Sequence, residues 1–88
     1  MKVKDGFVLR EVCGETIVVP TGKRSIEFNG LINVNELGAF LWEKLQEECT
    51  LEQLADYVLQ EYEVSKDIAL KDITEFVEVL DKYDLLSK

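Results

Sequence analysis

The chain has no histidine and only two cysteines. Without histidine, the commonest general acid and base at neutral pH is missing. Two cysteines and no histidine cannot complete a four-ligand zinc site. The spacing of Cys13 and Cys49 fits no redox or metal motif, so both read as independent reduced thiols. Ser25 and Ser65 have no activating partner in the sequence, and the glycines form no phosphate-cradling loop. Glu47 and Glu48 read as exposed charge at a helix end rather than as general acids. No catalytic residue, metal ligand or cofactor site is assigned, and the chain reads as a non-enzyme.

Long apolar runs are missing too. The opening "MKVKDGFVLREV" lacks the apolar core of a signal peptide, and no stretch approaches membrane-spanning length. The expected location is the cytoplasm. Basic residues are outnumbered as well: the net charge is −8, and all of the acid excess falls in residues 36–88. Acidic helices repel phosphate backbones and anionic lipid surfaces, which argues against nucleic-acid and membrane partners. What is present is ordinary for a folded domain. Hydrophobic residues make up 47% of the chain, enough to form a core despite 32% charged residues. Eighty-eight residues make one domain, 1–88, with a modest core.

The first third is extended and turn-rich. "FVLREV" (Phe7–Val12) and "ETIVVP" (Glu15–Pro20) are rich in β-branched residues and flank Cys13-Gly14. A two-residue loop ending in glycine predicts a tight hairpin, with Leu9 opposite Val18 and Val8 opposite Val19. Both faces of that ribbon carry apolar residues, so it needs cover from more than one helix layer. Pro20–Ser25 reads as a loop. Asn29-Gly30 is a hairpin dipeptide between "IEF" and "LINV", but the first arm is short, so a small hairpin or a bulge both remain open. Leu31–Val34 is the durable strand.

Three helices follow. Asn35 is a natural N-cap, with Glu36 at the positive end of the helix dipole and Leu37, Phe40, Leu41 and Leu45 as the buried stripe. Gly38 and Ala39 point to close backbone packing, with Trp42 expected over the gap that Gly38 leaves. Thr50 and Gln53 form a capping box ahead of Leu51, Leu54, Ala55, Val58, Leu59 and Tyr62. The third helix is expected from about Ser65 to Tyr83. Its apolar residues cover roughly 200° of arc, about twice what joining a core requires. Either it is packed on several sides or part of the stripe is open to a partner.

Strands followed by three helices suggest an α+β, winged helix-turn-helix-like domain: a three-stranded antiparallel sheet and then three helices. The second helix has no Lys or Arg and the third mixes lysines with more acids, so a DNA-reading role is poorly served. A sheet edge beside a helix stripe instead suits strand addition by an extended peptide. The runs "LINVNELGAFLWEKL", "TLEQLADYVLQEYEV" and "DITEFVEVLDKYDLL" resemble the PqqD-like peptide chaperones, the precursor-recognition elements of pathways that modify ribosomally made peptides. The resemblance covers about residues 5–86.

That resemblance implies a winged-helix fold that binds the leader of a precursor peptide and presents it to a separate modifying enzyme, such as a radical-SAM enzyme. It implies that the leader adds as an antiparallel strand beside Leu31, Ile32, Asn33 and Val34. The groove-facing positions on the third helix would be Ile73, Phe76, Val77 and Leu80. Asn35, Gly38, Ala39 and Trp42 would hold the strand-to-helix corner. Lys23 and Arg24 read as a solvated loop, with contact to acidic leader residues as the alternative. The rival readings are a winged-helix transcriptional regulator and a structural subunit of a maturase complex. On the strand-addition reading, Ile32→Pro removes an edge donor if that N–H faces outward, and Val77→Asp weakens binding if Val77 lines the groove.

Overall fold

Cys13 and Gly14 both adopt positive φ, 52° and 81°. Two consecutive left-handed residues form the turn whose twist matches that of a tight hairpin. In this computed structural model, which describes residues 1–21 and 32–87, the elements run β1 (Lys2–Val3), β2 (Phe7–Val12), β3 (Glu15–Pro20), β4 (Ile32–Val34), α1 (Glu36–Lys44), α2 (Leu51–Glu61), α3 (Lys66–Lys82) and β5 (Leu86–Ser87). β2, β3 and β4 form one antiparallel sheet in that order. The hairpin has the expected register, with Leu9 opposite Val18 and Val8 opposite Val19. Pro20 belongs to β3 rather than to a following loop, and the Thr21 N–H donates to the Gly6 carbonyl at 2.8 Å. The remaining expectations for the Asn29-Gly30 turn, for Lys23 and Arg24, and for Leu31 lie outside the described residues.

The α+β architecture of three antiparallel strands and three helices is as expected. A second small sheet was not anticipated: β1 pairs antiparallel with β5, Val3 opposite Leu86. The end of α3 explains it. Asp84 sits at φ 56°, its N–H donates to the Asp81 carbonyl at 3.0 Å, and the Leu85 N–H donates to the Leu80 carbonyl at 2.8 Å. This is a Schellman termination with an aspartate where glycine is usual. It turns the chain back so that Leu85 and Leu86 enter the core and Leu86 meets Val3.

One face of the sheet packs on the helices. Phe7, Val18 and Ile32 join Leu41, Trp42, Leu45, Leu54, Val58, Ala69, Ile73, Leu80 and Leu85 in one buried cluster. Among the described residues, no polar or charged side chain is buried. The other face is covered only in part: Ile17 is buried outside that cluster, whereas Val8 and Val12 are exposed. The helices begin where their caps predict. Asn35 accepts from the Gly38 N–H at 2.7 Å, Thr50 and Gln53 bond reciprocally at 3.1 and 2.9 Å, and Ser65 accepts from the Ile68 N–H at 3.3 Å. Cys13 is an exposed free thiol and Cys49 a buried one, its Sγ 3.3 Å from the Lys44 carbonyl. Among the described residues, no helix is long and apolar enough to cross a membrane.

Cys13 holds a left-handed conformation that asparagine tolerates better than most side chains. Cys13→Asn is expected to stabilise the fold by roughly 0.5–1 kcal/mol, and Cys13→Val to destabilise it by about 1 kcal/mol or more. Thermal unfolding of the two variants beside the parent measures both. Equal melting temperatures would mean that the turn carries no strain.

Candidate functional site

Which backbone groups β4 offers to solvent follows from the first hairpin. In an antiparallel ladder, pairs that exchange hydrogen bonds alternate with pairs that do not. A two-residue loop makes the closing pair, Val12 and Glu15, an exchanging one. Counting back, Arg10–Ile17 and Val8–Val19 exchange, whereas Glu11–Thr16, Leu9–Val18 and Phe7–Pro20 do not. Two observations agree. Pro20, with no N–H to give, falls at a non-exchanging position, and the next position outward carries the Thr21 to Gly6 bond. Thr16 and Val18 therefore turn their N–H and C=O groups away from β2, toward Val34 and Ile32. Asn33, opposite Ile17, is left with its N–H and C=O pointing to the outer side of β4. Among the described residues nothing pairs with that side.

Beside this edge lies a concavity of about 280 Å3 lined by Ile32, Asn33, Val34, Asn35, Leu37, Gly38, Leu41, Asp72, Glu75, Phe76 and Val79. The volume is just under the usual range for small-molecule sites. The walls are β4, the start of α1 and one stripe of α3. Positions 72, 75, 76 and 79 recur at the spacing that puts side chains on one helix face. Phe76 is half-buried and packs on the core, while Val79 is 39% exposed. Ile68, one turn before Asp72 on the same stripe, is 52% exposed. A second concavity, about 710 Å3 and wider, shares Asn33, Val34 and Asn35 and continues past Gly14, Glu15, Thr16, Glu36 and Ala39. Its lining is polar, so the first is the better candidate for holding apolar side chains. Among the described residues, neither is lined by a lysine or arginine.

The corner between β4 and α1 shapes the first concavity. A Cβ on Gly38 would come within 3.1 Å of Phe76 Cε1, 3.1 Å of Val34 Cβ and 3.2 Å of Asn35 Oδ1. The expectation that Trp42 covers Gly38 is corrected here. Trp42 is buried in the core, and the ring that lies against Gly38 belongs to Phe76 of α3. Close approach of the two helices at the missing side chain is what lets Phe76 both plug the corner and line the concavity.

The family model described as Coenzyme PQQ synthesis protein D (PqqD) matches residues 15–86. The chain belongs to the PqqD family. No curated protein matches it significantly. Two solved structures share its fold. "TbiB1 in Complex with the TbiA(beta) Leader Peptide" is 22% identical, with a TM-score of 0.75 over 99% of this chain and 95% of that one. "Lasso peptide synthetase B1 complexed with the leader peptide" is 16% identical, with a TM-score of 0.73 over 99% and 96%.

Of the positions that the PqqD resemblance implies, the structure brings Ile32, Asn33, Val34 and Phe76 together around the concavity. Ile73 and Leu80 are fully buried in the core, and Val77 is half-buried against it. None of these three lines the concavity. The lining stripe of α3 is offset by one residue from the most apolar stripe, to Asp72, Glu75, Phe76 and Val79. That Asp72, Glu75 and Val79 line the concavity was not anticipated, because the most hydrophobic positions of α3 were expected there and the core takes them. Mixed apolar and acidic residues at i, i+3, i+4 and i+7 were the available signal. The conditional test by Ile32→Pro is also corrected: the Ile32 N–H faces β3, so that substitution would break the sheet rather than its edge.

Because Gly38 sits so close to Phe76 and Val34, Gly38→Val is expected to destabilise this PqqD-family domain by about 1–3 kcal/mol. Chemical denaturation measures it. A variant as stable as the parent would show that the corner can open without cost.

Proposed function

We propose that the chain is a non-catalytic module that binds the leader of a ribosomally made precursor peptide and presents it to a separate modifying enzyme. The observation that carries this reading is the outward-facing N–H and C=O of Asn33 beside the concavity between β4 and α3. An extended segment lying antiparallel to β4 would exchange both hydrogen bonds with Asn33. Its residues on either side of that pair would turn their side chains to the face shared by Ile32 and Val34, toward α3. Backbone bonds supply affinity and the helix wall supplies selectivity.

Membership of the PqqD family supports the reading, as do two fold neighbours that are themselves leader-peptide complexes. The groove residues on this reading are Ile32, Asn33, Val34, Phe76 and Val79. Ile73, Val77 and Leu80 would act from behind, by holding α3 in place. A DNA-reading role is disfavoured by α2, which carries no lysine or arginine.

Titration of the isotope-labelled protein with leader peptides encoded near its gene tests this. Shifts are expected at residues 32–35 and along 72–79. Proline is tolerated where a strand N–H faces outward, so Asn33→Pro is expected to leave the fold intact while weakening binding at least about tenfold. Val79→Asp is expected to weaken binding without unfolding. Undiminished affinity in Asn33→Pro would rule out strand addition at this edge. Val77→Asp now serves as a contrast, since its expected effect is on stability.

A further inference from the structure

We infer that the segment taken up at the β4 edge is cationic, with at least one lysine or arginine on the side that faces α3. This rests on the strand-addition reading and narrows the class of peptide that the edge accepts. The exposed wall of α3 is not uniformly apolar: Asp72 and Glu75 stand between Ile68 at one end and Val79 at the other. Residues three and four apart on a helix are neighbours, about 5–6 Å between Cβ atoms. Side chains leaving the added strand toward α3 therefore meet apolar carbon and carboxylates on the same stripe.

Three further observations agree. Among the described residues, no lysine or arginine lines either concavity along β4, and neither Asp72 nor Glu75 has an ion pair. Lys71 stands one turn before Glu75 on α3, but among the described residues no ion pair joins them. Lys66 is engaged with Glu52 at 3.3 Å. The wider concavity beyond the end of β4 carries two more carboxylates, Glu15 and Glu36. The positive end of α1 is already answered, since Asn35 caps the Gly38 N–H and Glu36 sits in its first turn. Among the described residues, an extended segment thus meets carboxylates both beside β4 and beyond its end. Lysine and arginine suit the mixture because their aliphatic stems lie on apolar surface while their heads reach the acids.

The test is selection of a random dodecapeptide display library on the full chain, followed by affinity measurement of individual peptides. Selected peptides are expected to carry Lys or Arg at alternate positions. Replacing that residue by Gln is expected to weaken binding about three- to tenfold at low salt, and less at high salt. The double variant Asp72→Asn/Glu75→Gln should bring the Lys and Gln peptides to nearly equal affinity. Suppose instead that the selected peptides are neutral or acidic, or that the double variant still separates Lys from Gln. If Asn33→Pro nevertheless abolishes binding, the charge inference falls while strand addition stands. If no selected peptide depends on the Asn33 N–H, strand addition falls and this inference with it.

Discussion

The alternation of hydrogen bonds across the antiparallel sheet is the constraint on which the rest depends. A two-residue turn at Cys13 and Gly14 makes Val12 and Glu15 an exchanging pair, and every later pair follows from that parity. It places Pro20 where a missing N–H does no harm to the hairpin. It directs Thr16 and Val18 toward β4, so Ile32 and Val34 spend their backbone groups on the sheet. Asn33 is then the residue whose N–H and C=O remain for an outside strand.

The same strand positions its side chains by the same period. Ile32 and Val34 face the core and the helices, while Asn33 faces away. Immediately after Val34, Asn35 caps α1 and the chain turns. Gly38 then leaves a notch that Phe76 fills, so α3 runs close alongside the edge it flanks. The strand, the cap and the notch thus belong to one packing arrangement, in which an unpaired backbone edge lies next to a partly apolar helix face. Catalytic side chains would add nothing to that arrangement.

Much of this was legible in the residues. The two hairpin strands, the caps at Asn35 and Thr50 and the order of the sheet strands and helices are local properties, set by β-branched runs, turn residues and short polar side chains at helix starts. The family was legible for the same reason: its motifs sit at the corners, where a backbone need selects one residue type. The β1–β5 pairing was not legible, because it joins the two ends of the described chain through an αL aspartate that the local pattern does not announce. Of the α3 positions expected at the groove, Phe76 lines the concavity, whereas Ile73, Val77 and Leu80 turn toward the core. Apolar periodicity identifies a helix face, but with roughly 200° of apolar arc it does not say which part meets the core.

The sequence alone therefore determined the hairpin and its register, the three helices with the caps of the first two, and the kind of domain, because each depends on contacts within a few residues. Only the tertiary structure decided that Ile73 and Leu80 are core while Asp72, Glu75 and Val79 line the concavity, and that Phe76 rather than Trp42 lies against Gly38. Those outcomes depend on the angle at which α3 crosses the sheet and α1. That angle is set by packing among residues some forty positions apart, which periodicity along one helix does not encode.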